Sequence, residues 1–187
     1  IKDRDSTQSW SIYNKNIGYG NFLNLNNTNA SASSNSRFTA DPSSSVFRIG
    51  DNASGNGSSN DFIAYCFAEK KGYSKFGSYT GNGNADGTFV YTGMKPSFVM
   101  TKRTNSTGSW MMYDNKRATF NVNNKLLFAD TTDTESTTGS GVVDFLSNGF
   151  KWRGTATGTN GSGDSYIYMA FAESPEPLVP VAVPLHL

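Results

Sequence analysis

The chain has 187 residues and carries 16 Lys and Arg against 15 Asp and Glu, a formal net charge of +1. That length allows one domain with a real core, or two small ones, and the balanced charge leaves no footprint for nucleic acid, whose binders gather Lys and Arg on one face. Hydrophobic residues make up 36 %, aromatics 13 % and charged residues 17 %, with Asn, Ser, Thr and Gly filling the balance, a mixture that suits many short strands joined by polar turns and disfavours helices.

The chain opens on Ile rather than Met, which reads as a processed or excerpted piece of a longer protein. Ile1 to Asn14 is a strand region with a turn at Asp5-Ser6-Thr7, after which Trp10 and Ile12 share a face. Leu23 and Leu25 form a short alternating strand, and Asn26 to Asn35 is too polar to bury and becomes a surface loop. Val46 to Ile49 leads through a Gly/Asn/Ser turn into Asp61 to Glu69. In that run Ile63, Tyr65 and Phe67 fall on one side and the small Ala64, Cys66 and Ala68 on the other, which predicts a strand covered on both faces. Cys66, the single cysteine, is then a small core residue and has no disulfide partner.

Gly72 to Gly83 predicts a weak strand and a turn, and Thr88 to Met100 predicts two strands separated by a Gly-Met-Lys-Pro turn. The residues from Asn105 onward repeat those from Asp5. Asp5-Ser6-Thr7-Gln8-Ser9-Trp10-Ser11-Ile12-Tyr13-Asn14 matches Asn105-Ser106-Thr107-Gly108-Ser109-Trp110-Met111-Met112-Tyr113-Asp114, Phe47-Arg48 matches Phe150-Lys151, and Asn56-Gly57-Ser58 matches Asn160-Gly161-Ser162. Leu126 to Phe128 stands for the Leu23 strand, Asp130 to Gly141 for its loop, and Ser165 to Glu173 for Asp61 to Glu69. The tryptophans lie 100 residues apart and the glutamates 104, so the second copy carries a net four-residue insertion. In its last strand Ile167, Met169 and Phe171 share one face, Tyr166, Tyr168, Ala170 and Ala172 the other. The expected organisation is a duplicated body over 1–173 (half one 1–69, link 70–100, half two 101–173) and an extended tail over 174–187 that holds four of the six prolines. The first copy lacks the lead-in that Thr88 to Met100 gives the second, so its missing strand is expected upstream of Ile1 in a parent chain or from a neighbouring subunit.

Catalytic chemistry finds little to use. His186, the only histidine, is the penultimate residue of the chain, which leaves neither a Ser/His nor a Cys/His pair and no zinc ligand set. Glu69 and Glu173 are the one tempting carboxylate pair for glycoside hydrolysis, but as repeat equivalents at strand ends they read as symmetric edge caps. Asn82 to Gly87 opens like a calcium loop, yet Gly93 stands where the twelfth-position glutamate belongs, so a hairpin turn is expected. The Asn-x-Ser triplets at Asn52 and Asn160 carry little weight as glycan acceptors in so Asn- and Ser-rich a chain. Trp10 with Tyr13 and Trp110 with Tyr113 are candidate sugar-stacking platforms, with equivalent core slots as the alternative. Trp152 has Ile49 rather than a tryptophan near its place in the first copy and is the better candidate for exposed contact. No cofactor, metal or membrane insertion is expected, since no apolar run approaches the roughly 20 residues a span needs, and the start of the chain has no signal-peptide pattern.

The Asp5-to-Tyr13 unit, the link G-Y-S-K-F-G-S-Y-T-G-N-G with its continuation to Lys102-Arg103, the Leu146-to-Phe150 turn and the closing Ser165-to-Glu173 strand resemble a β-sandwich domain in virion proteins of tailed phages, marine ones especially. The likeness covers nearly all of residues 1–173. It implies an all-β, antiparallel, concanavalin/laminin-G-like jelly roll in a tail fibre or other exposed virion part, and it supplies no catalytic residues. Relatives commonly end on aromatic and basic residues, whereas here a Pro/Val/Leu tail follows Pro175. The expected function is a non-enzymatic virion surface module for attachment to a host surface or glycan. A capsid-decorating or cementing protein and a glycan depolymerase are the alternatives. Expected partners are other virion proteins, copies of itself in a homo-oligomer, and a host-surface glycan.

Overall fold

The computed structural model describes residues 1–118 and 120–174. The proline-rich tail from Pro175 and His186 within it lie outside them. Strands follow in the order β1 (Lys2–Asp3), β2 (Ser11–Ile12), β3 (Asn21–Asn24), β4 (Ala32–Ser33), β5 (Phe38–Ala40) and β6 (Arg48–Ile49). A single helical turn, α1 (Ala53–Asn56), precedes β7 (Phe62–Ile63), β8 (Ser74–Thr80), β9 (Phe89–Tyr91), β10 (Phe98–Arg103) and β11 (Met111–Asp114). The chain then forms β12 (Lys125–Phe128), β13 (Ser136–Thr137), β14 (Val143–Leu146), β15 (Gly149–Trp152) and β16 (Ser165–Phe171). The fold is all-β and every strand pair is antiparallel. Local chemistry explains the lone turn of helix, because Asn52 caps it by accepting the Ser54 N–H at 2.9 Å.

A six-stranded sheet in the order β13-β12-β11-β10-β16-β8 organises the molecule. Against one face lies a three-stranded sheet, β14-β15-β9, and between them sits the main core. Tyr166, Tyr168 and Ala170 of β16 and Val99 of β10 meet Phe145, Phe150 and Trp152 there, each within the two-residue period that the sequence sets. The other face is covered by the β2–β3 hairpin, where Ile167 and Trp110 pack with Leu23. β16 is thus covered on both sides, as its alternation predicts.

Matched contacts recur across residues 1–69 and 101–173. Ile12 pairs Leu23 in β2–β3, and Met112 pairs Leu127 in β11–β12. The Trp10 N–H donates to Asn26 Oδ1 at 3.0 Å and the Trp110 N–H to Asp130 Oδ1 at 2.9 Å. Lys2 pairs Ile63 as Lys102 pairs Ile167. A Cβ on Gly50 would lie 2.3 Å from the Ser36 carbonyl oxygen and one on Gly154 1.9 Å from that of Ser140, so the same close crossing of backbones demands glycine twice.

Three expectations change. Of Asp61 to Glu69 only Phe62–Ile63 forms a strand, and Ala64 to Glu69 run exposed, because the strands that flank β16 on both sides have no counterparts beside them. Cys66 is therefore exposed rather than in the core. The loops at Asn26 to Asn35 and Asp130 to Gly141 each contain a two-residue strand, β4 and β13, which extends the neighbouring hairpin by one short edge.

Candidate functional site

Between the small strands of residues 1–69 and the outer face of the six-stranded sheet opens a cleft of about 940 Å³. Hairpin β2–β3 supplies Trp10, Ile12 and Tyr13, the β5–β6 connection supplies Val46 and Phe47, and the irregular run after β7 supplies Tyr65, Cys66 and Phe67. Its floor is the large sheet itself, at Phe76, Met100 and Met169. The lining is mostly apolar although much of it faces solvent: Phe47, Tyr65 and Phe67 are 41, 62 and 61 % exposed. The Trp10 and Tyr65 rings stack with centroids 6.1 Å apart. Tyr13 packs edge-on against Phe38 and donates its hydroxyl to Asp41 at 2.8 Å. Burial first, and then the Asp41 carboxylate, push that phenol up to about 12, so it remains a donor at any ordinary pH.

The five aromatic candidates part company here. Trp10 and Tyr13 reach the cleft, half-buried. Trp110 touches its floor but is buried, with Nε1 donating to the Asn24 carbonyl at 2.9 Å. Tyr113 is fully buried and donates its hydroxyl to the Gly141 carbonyl at 2.5 Å. Trp152 corrects the expectation of exposed contact: it is 0 % exposed, wedged edge-on against Tyr113 and Phe150 in the main core. The Ile49 that stands near its place in the sequence match was therefore no sign of a surface position. The aromatic rim of Phe47, Tyr65 and Phe67 was not foreseen from the residues, whose alternation placed Tyr65 and Phe67 in a covered strand.

The acidic groups are already engaged. Glu69, the one carboxylate among the described residues of the lining, binds Lys15 at 2.8 Å and Lys75 at 3.2 Å and accepts the Phe76 N–H at 3.2 Å. Partial burial raises its pKa, yet the two lysines and the amide together hold it below the usual range. Glu173 is bound by Lys116 at 2.5 Å, and that hydrogen bond likewise lowers it. At Asn82 to Gly87 the Asn82 side chain is tied to Asn160 at 2.9 Å and Asp86 to Lys151 at 2.6 Å; the segment links β8 of the six-stranded sheet to β9 of the three-stranded one, so it is a connection between sheets rather than the expected hairpin turn. No three His, Cys, Asp or Glu side chains converge among the described residues, and no helix among them is long and apolar enough to cross a membrane.

No curated protein and no solved structure matches the chain. A family model described as "Domain of unknown function (DUF7483)" matches residues 1–175, which takes in β1 through β16 and the described lining of the cleft. The chain therefore belongs to the DUF7483 family.

Proposed function

We propose that the chain is a non-catalytic surface module of a tailed-phage virion, carried in a tail fibre or an appendage, that works through contact rather than through a reactive group. The motif resemblance supports the virion setting. The matched registers of the two halves support an internal duplication, and the layered antiparallel sheets support a concanavalin/laminin-G-like jelly roll. One observation carries the contact reading: the cleft is apolar and aromatic, and its single described carboxylate is held ionised between two lysines. Hydrolysis of a glycosidic bond draws on two carboxyl groups about 5–9.5 Å apart, one of them able to hold a proton. Among the described residues of the lining, none beside Glu69 supplies a second.

Within the contact class, the apolar lining favours protein partners: other virion proteins and copies of the chain, as in a decorating or cementing role. Attachment to a host-surface saccharide is the second reading, and it is favoured by Trp10 and Tyr13, whose ring faces reach the cleft beside the Asp41 acceptor. Purified chain mixed with phage particles that lack it, and separately with bacterial surface polysaccharides, separates these readings. Co-sedimentation with particles and no release of reducing ends is the expected result. Polysaccharide binding that disappears in Trp10→Ala moves the assignment to saccharide attachment. Release of reducing ends that is lost in Glu69→Gln overturns the non-catalytic reading.

A further inference from the structure

The cleft has a counterpart in the second half, and there it is closed. β16 is flanked by β10 on one side over Phe98 to Arg103 and by β8 on the other over Ser74 to Thr80. β9 caps the edge of β15 by pairing Val90 with Phe150. At the matching places in the first half, β7 has only β1 beside it, and β6 has only β5. Ile167 is 3 % exposed while Ile63 is 37 % exposed, and buried Ala170 corresponds to exposed Cys66.

A second, independent sign lies in the asparagines. Asn160, fully buried, grips the link: its amide donates to Asn82 Oδ1 at 2.9 Å and the Asn84 carbonyl at 3.1 Å, and its oxygen accepts the Thr88 hydroxyl at 3.0 Å. Asn56 holds the equivalent place after the equivalent turn, where its N–H donates to the Asn52 carbonyl at 2.8 Å as that of Asn160 donates to Ala156 at 2.7 Å. Its side chain is exposed and has no hydrogen-bond partner among the described residues. A clamp for a link-type turn is present, and it is empty-handed.

We infer that this open side is a strand-acceptor groove whose occupant is a strand–turn–strand segment patterned like residues 72–100. Such a segment adds its strands to the free edges of β7 and β6 and lays its large side chains over the cleft, the mode of β-augmentation. Its turn meets Asn56 as Asn82 to Thr88 meets Asn160. The register is defined: the Ser11 N–H donates to the Ile1 carbonyl at 2.9 Å and Ile1 donates back to Ser11 at 2.9 Å, the pair that Thr101 makes with Met111. Ile1 thus occupies the position of Thr101, and a copy of residues 72–100 joined ahead of Ile1 falls in register with the first half. This inference rests on the internal duplication proposed above and shares with the contact-module reading the choice of protein as the partner.

Cys66 reports the outcome, since it is exposed in the open groove and its counterpart Ala170 is not. A protein with residues 72–100 duplicated directly before Ile1 is compared with the chain as it stands and with a control carrying one extra glycine at the junction, which flips every donor side chain to the wrong face. The expected result is loss of Cys66 labelling by an uncharged maleimide, with slowed amide exchange over Tyr65 to Phe67, in the in-register fusion alone. The free peptide 72–100, added to the unfused chain, gives the same loss in a saturable way. Unchanged labelling in both the fusion and the peptide experiment overturns the inference. So does labelling that rises when residues 175–187 are removed, which makes the tail the occupant, or that falls with chain concentration, which makes it a second copy. Cys66 protection is read without phage particles, so its failure leaves the co-sedimentation result standing.

Discussion

Residues 61–67 and 165–171 carry similar apolar patterns, and the molecule treats them oppositely. At 165–171 all seven residues, Ser165–Phe171, pair with β8, the six from Tyr166 to Phe171 also pair with β10, and the inward face disappears into the core. In the first copy Phe62–Ile63 alone is paired, and Tyr65 and Phe67 stand in solvent. The residue pattern is sufficient to make a strand want burial on both faces, but the layers that deliver it, the β14-β15-β9 sheet and the β2–β3 hairpin, and the neighbours β8 and β10 that hold the strand between them all come from elsewhere in the chain. Each large apolar side chain left out forgoes about 1.5–3 kcal/mol of transfer free energy, which is why the exposed rim of the first half reads as a surface awaiting a cover.

The sharpest break in the comparison comes from the paired phenylalanines. Phe150→Ala, at a fully buried position, is expected to cost about 3–5 kcal/mol in denaturant unfolding. Phe47→Ala, at the matching exposed position, is expected to stay within about 0.5 kcal/mol. Equal losses at the two sites would mean that the first half is as closed as the second. In the in-register fusion the cost at Phe47 should rise toward that of Phe150.

The asparagine pair gives a smaller contrast. Asn160→Ala strips partners from the link turn and is expected to cost about 1–3 kcal/mol, because the buried groups it satisfies are left unmatched. Asn56→Ala should be nearly silent by the same thermal melt.

The lysines at the matched β1 and β10 positions sharpen it by pH. Lys2 is half-buried near the surface and donates to the Asp3 and Ser6 carbonyls. Lys102 is fully buried and donates to the carbonyls of Thr28 at 3.1 Å and Gly108 at 2.7 Å, a tie between the halves. Burial pushes its pKa down to about 8 against the pull of Asp130, from a usual 10.5. Between those values the unfolded chain binds the proton that the folded chain has released, so stability rises with pH across that window. Lys102→Met should abolish the rise, which melting temperatures taken between pH 7.5 and 10.5 read directly. A slope unchanged in the variant would assign it to another group.

Some of this was legible from residues alone. The alternation at Ile167 to Phe171 announced a strand covered on both faces, Thr88 to Met100 announced two strands that form as β9 and β10, and Leu23 and Leu126 to Phe128 announced the short strands β3 and β12. The site was legible in part. Trp10 and Tyr13 reach the cleft, whereas Trp152, singled out for having no tryptophan partner, is among the most deeply buried side chains. Tyr65 and Phe67 were assigned to a covered strand by the same alternation that succeeded at β16.

What the sequence by itself determined is the local alphabet: strands rather than helices, which side chains share a face, and where turns and close backbone crossings fall. These depend on the geometry of a few consecutive residues. Only the tertiary structure decided which of two like strands is buried, whether Cys66 and Trp152 meet solvent, and which asparagine has a turn to hold. Burial is a property of the partner that arrives from elsewhere in the chain, and a strand carries no local record of whether that partner came.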